Sequence, residues 1–174
     1  KTMREKLNIT EYDVILVNNG LICADSMGGE FENKVVVRDT STHNEYVFSY
    51  TNDDILNLFG YRLKIYVRKN LKTDVNEIVY YSVHNSVEET IVYSEDVISS
   101  VSGLVEYEKN PESSKIEKVN YNPYEAFVYI NGVKKADYQF ADLKPSNGFT
   151  RFIDNNGDNR ADYILVYNFS YNVI

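Results

Sequence analysis

Phe152-Ile153-Asp154-Asn155-Asn156-Gly157-Asp158-Asn159-Arg160-Ala161-Asp162-Tyr163-Ile164-Leu165-Val166 sets an acidic, amide-rich loop between two apolar runs. Counted from Asp154, side-chain oxygens recur at positions 1, 3, 5 and 9, which are Asp154, Asn156, Asp158 and Asp162, and position 7 is Arg160. The runs on either side are β-branched and aromatic and carry no helical period, so the stretch reads as strand, loop, strand. Position 12 is Leu165, not the bidentate glutamate of a helix-loop-helix hand. The local fold is therefore a hairpin, and the chain around it should be sheet.

The oxygen spacing points to calcium. That cation takes six to eight oxygens, and alternate residues of a tightly turned loop can aim at one centre, with the Arg160 backbone carbonyl as the position-7 donor. Gly157 eases the turn. Asn159 stands where such loops usually carry glycine, and asparagine tolerates the left-handed conformation better than most residues. Three aspartates within nine residues, offset by Arg160 alone, repel one another in a compact turn unless a cation joins them. The alternative is a tight Asn/Gly connection without an ion. Without a carboxylate at position 12, calcium binding is expected to be weak, on the order of 10⁻⁴ to 10⁻³ M.

Moving outward, Tyr61-Arg62-Leu63-Lys64-Ile65-Tyr66-Val67-Arg68 alternates most cleanly, with Leu63, Ile65 and Val67 on one face. It reads as a half-buried strand, and residues 77–83 return beside it. Earlier, residues 14–17, 34–38 and 45–50 are strand runs. Asn18-Asn19-Gly20 reads as a turn into a further strand, Leu21-Ile22-Cys23-Ala24. Thr51-Asn52-Asp53-Asp54 offers helix caps before Ile55, Leu56, Leu58 and Phe59, and Gly60 ends the helical spacing. A helix between the third and fourth strands, followed by two more, is the order of an OB-like small antiparallel barrel.

The fold class is thus mainly β, a β-rich α+β chain. Residues 1–11 form a tether or short helix, 12–84 the barrel, and 85–174 a second β unit that ends in the calcium-type hairpin and either stands apart or shares a sheet with the first. In the second unit residues 90–93, 103–107, 115–119 and 125–130 are strand runs. Val97, Ile98 and Val101 have spacing that allows a helical turn, and Asn131-Gly132 makes a hairpin turn.

The chain has 174 residues and a formal net charge of −8, which disfavours nucleic acid. No stretch has the apolar length of a membrane-spanning helix. It begins at Lys1, which suggests a piece of a longer protein or a processed product. The single cysteine, Cys23, sits in an apolar run and reads as a buried thiol. There are 16 tyrosines and 8 phenylalanines but no tryptophan, a composition that favours sheets. His43 and His84, the only histidines, fall in polar turn-like contexts, and no phosphate loop, dinucleotide fingerprint or zinc spacing is present.

Several segments together carry a family resemblance. Tyr129-Ile130-Asn131-Gly132, Lys144-Pro145-Ser146-Asn147-Gly148 and the run from Phe152 to Asp158 resemble, in this order, the β-rich regions that accompany S-layer homology repeats in surface proteins of Gram-positive bacteria. The stretch from Asp54 to Tyr66 is similar to the helix, glycine and alternating strand of the same regions. The resemblance spans most of residues 12–168, and the chain carries no S-layer homology repeat of its own. The acidic loop also resembles the calcium loops of FG-GAP and related extracellular β-repeats. The resemblance implies an extracellular, cell-surface or cell-wall setting and no enzymatic role. It implies other domains of a parent protein, cell-wall polymer or other surface proteins as partners, and it places calcium ligands on Asp154, Asn156, Asp158, Arg160 and Asp162.

Two functions follow from different classes. One is a non-catalytic structural or interaction module of a surface protein, stabilised by calcium. The other is a carbohydrate- or ligand-binding module that uses tyrosine faces such as Tyr46, Tyr50, Tyr66, Tyr80, Tyr81, Tyr163 and Tyr167, which predicts several of those rings exposed in one groove. A fragment of a calcium-dependent hydrolase ranks below both.

Overall fold

The computed structural model describes residues 8–19 and 33–169, and the chain divides into two compact units that meet between Val87 and Glu88. The expected boundary lay near residues 84–90. Of the tether or short helix expected at 1–11, residues 9–11 belong to the first strand and 1–7 lie outside the described residues, as does the expected strand at 21–24 with Cys23.

The first unit is a closed barrel of β1 (Ile9–Asn19), β2 (Lys34–Asp39), β3 (Glu45–Tyr50), β4 (Arg62–Asn70) and β5 (Val75–Val83), in the order β1-β2-β3-β5-β4. β3 and β5 run parallel, and every other pair in the barrel is antiparallel. Asn18 and Asn19 are strand residues of β1 and not the turn expected there. Alternation explains β4, whose Leu63, Ile65 and Val67 enter the core while Lys64 and Arg68 face solvent. Val14, Leu16, Val35, Val37, Phe48 and Ile78 join them in one cluster.

The helix between β3 and β4 is a six-residue 3₁₀ helix, Asp53–Leu58, whose Asn52 cap accepts the Asp54 N–H at 2.9 Å. Its buried Ile55 packs into the barrel core. Gly60 donates to the Leu16 carbonyl at 2.8 Å, which ties the end of this segment to β1. Outside the barrel the charges are paired across strands. Arg62 grips Asp13 through two bonds of 2.9 and 2.7 Å, and Lys64 meets Glu11 at 3.3 Å.

The second unit has two sheets, and neither shares a strand with the barrel. One is ordered β11-β10-β14-β12-β6, from β6 (Glu88–Tyr93), β10 (Phe127–Ile130), β11 (Val133–Lys134), β12 (Gly148–Asp154) and β14 (Tyr163–Asn168). The other is ordered β13-β9-β8-β7, from β7 (Val97–Val101), β8 (Leu104–Tyr107), β9 (Glu117–Tyr121) and β13 (Arg160–Ala161). Val92, Val128, Phe152, Ile164 and Val166 of the first meet Val97, Val105, Tyr107, Tyr121 and Ala161 of the second in one core.

Residues 97–101 form a strand where the sequence spacing allowed a helical turn. Only Ser94–Asp96 before them is 3₁₀, and a bulge between Val97 and Ser99 breaks the plain alternation. Asn131 and Gly132 have φ of 48° and 82°, which makes the expected tight turn between β10 and β11. No described helix is long and apolar enough to cross a membrane.

Candidate metal centre

β12 and β14 pair antiparallel from Gly148↔Asn168 to Ile153↔Tyr163, so residues 154–162 are the connection of a hairpin, as the flanking residues imply. The two ends of the loop face each other just beyond the closing pair, where the Asp162 N–H donates to the Ile153 carbonyl at 2.8 Å. The Asp162 carbonyl accepts the Phe127 N–H at 2.9 Å. Before rejoining the first sheet, Arg160 and Ala161 pair in parallel with Asn120 and Tyr121 of β9. The loop is therefore strapped to both sheets.

Within it the chain folds around Asp154, which is 7% exposed. Its Oδ1 accepts the N–H groups of Asn156 at 3.1 Å and Gly157 at 2.8 Å, and its Oδ2 that of Asn159 at 2.8 Å. Gly157 and Asn159 take φ of 76° and 64°, the left-handed conformations anticipated at these positions. Asn156 Oδ1 accepts the Asp158 N–H at 3.2 Å, Asp158 Oδ1 that of Arg160 at 2.9 Å, and Asp162 Oδ2 that of Asn155 at 2.9 Å.

Three carboxylates converge. One oxygen each of Asp154, Asp158 and Asp162 lies within 4.8 Å of the others. Oxygens bound to one calcium at about 2.3–2.6 Å can stand no farther apart than about twice that distance, so this donor set fits the ion in both chemistry and span. Of the five residues expected as ligands, these three come together by their carboxylates. Asn156 turns its oxygen to a loop N–H, and Arg160 contributes strand backbone to β13. Leu165, at position 12, is a buried residue of β14.

The electrostatics are unbalanced. Burial, followed by the charges of Asp158, Asp154 and Glu125, pushes the Asp162 carboxyl up to about 6, against the opposing bond from Asn155. Arg160, the basic residue of the loop, makes no ion pair with any described residue. Two further acids belong to this neighbourhood that the sequence did not single out. Glu88 of β6 stands directly opposite Asp154 in the ladder, where like charges destabilise, and Glu125 is close enough to act on Asp162. Neither carries a local signal, because both arrive through strand register and a distant turn.

The other candidate residues are dispersed. His43, at φ 61°, closes the turn after β2 by donating its N–H to the Asp39 carbonyl at 3.0 Å. His84 Nδ1 sits 2.8 Å from Ser86 Oγ and also accepts the Ser86 N–H at 3.1 Å, a local lock on the turn that follows β5. Tyr46, Tyr50 and Tyr81 pack on the barrel core, Tyr163 is buried, and Tyr167 stacks on Phe149. Of the seven named tyrosines only Tyr80, paired with Tyr66 at 5.6 Å, is more than half exposed.

No protein-family model, curated protein or solved structure matches this chain.

Proposed function

We propose that this chain is a non-catalytic structural module of an extracellular bacterial surface protein, in which calcium bound by the 154–162 loop stabilises the second β unit. The observation that carries the reading is the convergence of the Asp154, Asp158 and Asp162 carboxylates within 4.8 Å, on a loop strapped to both sheets. A cation there would neutralise charges that the protein itself leaves unbalanced. It would also hold β12, β14 and β13 together at the point where the chain passes between sheets. The surface setting rests on the sequence resemblance and on the fit between a weak loop site and calcium-rich surroundings. Asp154, Asp158 and Asp162 would be the carboxylate ligands, with Asn156 and the Arg160 carbonyl as further donors.

Thermal unfolding with excess calcium and with chelator, on the parent chain and on Asp158→Ala, tests this. At 100 times the dissociation constant a ligand specific for the folded state adds about 2.7 kcal/mol, which for a chain of this size raises the melting temperature by roughly 5–10 °C. The rise should vanish in Asp158→Ala. A parent chain that melts identically in calcium and in chelator would leave the loop an ordinary acidic turn and remove the main support for an extracellular module.

A further inference from the structure

The outer side of the same loop borders an open cleft of about 490 Å³, where Asn120, Asn122, Asp158, Asn159 and Arg160 meet from β9, the turn after it and the loop. The Asn120 and Asn159 side-chain amides, the Asn122 Nδ2 and the Arg160 guanidinium hydrogen-bond to no described group. A smaller cleft of about 200 Å³ adjoins the loop as well and shares Asn120, Asn159 and Arg160. Uncommitted donors and acceptors thus gather on one surface.

The surroundings are rigid. The turn after β9 is fixed by the Asn122 carbonyl, which accepts from Glu125 and Ala126, and by Asn122 Oδ1, which accepts the Tyr124 N–H at 3.0 Å. The ring of Pro123 lines the cleft, and the next residue, Tyr124, is 96% exposed. Gly103 forms part of the wall at φ +78°, where a Cβ would stand 3.1 Å from the Tyr121 carbonyl oxygen. The cleft is open here because that position carries no side chain.

We propose that this cleft binds a neutral oligosaccharide, with the asparagine amides, Asp158 and Arg160 engaging sugar hydroxyls and Tyr124 and Pro123 offering faces for the ring. A hydroxyl donates and accepts at once, and a primary amide presents a donor beside an acceptor, so one asparagine can serve two adjacent hydroxyls. Tyrosine supplies an apolar face with a wet edge, suited to the C–H face of a sugar ring. The cleft volume falls in the range of small-ligand sites, while its polar walls lack the apolar pocket a peptide side chain would take. The β9 edge at Asn120 and Tyr121 is already occupied by β13, so strand addition is blocked there. Arg160 is the one cation lining this cleft, on a chain of net charge −8, which argues against a phosphate backbone.

The test is an NMR titration of the intact chain with maltotetraose, cellotetraose and chitotetraose, in calcium and in chelator, with glycerol as the control. At least one tetrasaccharide should give saturable shifts at residues 102–104, 120–124 and 158–160, with a dissociation constant on the order of 1 mM. Asn122→Ala and Tyr124→Ala should each weaken it about tenfold or more, and Tyr124, being exposed, can be replaced without disturbing the fold. The proposal is overturned by no saturable shift, by shifts that map elsewhere, by variants that bind like the parent, or by equal shifts from glycerol. The calcium reading is judged separately by the melting temperature of the same samples without sugar. Saturable sugar shifts in a chain indifferent to calcium would keep this proposal and remove that one.

Discussion

The barrel and the loop treat their acids in opposite ways. On the barrel, Asp13 lies against the Arg62 guanidinium, whose two bonds hold its carboxyl below the ordinary 3.8, and Glu11, Glu45 and Glu77 each face a cation on a neighbouring strand. In the loop, Asp162 is raised to about 6 by burial and by three other acids, and the nearest basic residue in sequence, Arg160, is unpaired among the described residues. Several acids of the barrel strands are thus balanced by cations on neighbouring strands. The loop leaves a concentrated negative site that a cation from outside would settle, which is why the calcium reading attaches to the loop and not to the acidic composition at large.

The sharpest way to separate the two is to remove Asp154. Its carboxylate accepts three loop N–H groups, so its role is to fold the connection whether or not an ion is present. Asp154→Ala should cost about 3 kcal/mol in chelator, where only the three lost hydrogen bonds act, and more in calcium, where it also forfeits an increment of about 2.7 kcal/mol, read by denaturant unfolding. A loss seen only in calcium would mean that the loop is organised by the ion and not by Asp154.

Asp158→Asn comes next, and it should change sign with conditions. The amide keeps an oxygen for the Arg160 N–H but removes one of the charges that raise Asp162. In chelator the variant should be more stable than the parent by a few tenths to about 1 kcal/mol. In saturating calcium it should be less stable, because it forgoes most of an increment of about 2.7 kcal/mol. Loss under both conditions would contradict the charge imbalance in the loop.

Acidification in chelator should also act oppositely on the two units. The folded-state carboxyl of Asp162 lies above its ordinary value, so the folded unit takes up a proton first as pH falls through about 6. The second unit should gain on the order of 1–3 kcal/mol between pH 7 and pH 4. Asp13 is depressed, so its contribution is present above 3.8 and is lost only as pH falls further, through its folded value. Melting followed residue by residue by NMR at pH 7 and pH 5 should therefore show β12 and β14 stabilised while β1 and β4 stay unchanged.

How much of this could be read from sequence differs between the same two regions. The alternation from Arg62 to Val67 is a complete local signal, since one face of the strand is buried, and Asn52 announces the 3₁₀ segment by its cap. Residues 97–101 misled because a bulge shifts the facing of Val97 and Ile98 relative to simple alternation, and pairing with β8 overrides the local helical spacing. The three aspartates of the metal candidate are local in sequence, and their spacing brings them together. Glu88 and Asn120 reach the loop through sheet register, and Glu125 through the turn after β9, none of which a local pattern encodes.

The smallest expected effect closes the comparison from the barrel side. The Asp13 and Arg62 side chains are 38% and 28% exposed, so their bidentate geometry is offset by solvent screening. Asp13→Asn should cost at most about 1 kcal/mol, shrink as salt rises, and be the same in calcium and in chelator. A double-mutant cycle with Arg62→Gln isolates the pair from the bond that Thr40 Oγ1 makes to the Asp13 carbonyl, which the substitutions leave in place. If Asp13→Asn instead altered the calcium response as strongly as Asp158→Asn, the two units would share one electrostatic balance. The contrast between barrel-strand acids paired with cations and a loop whose acids are not would then have to be given up.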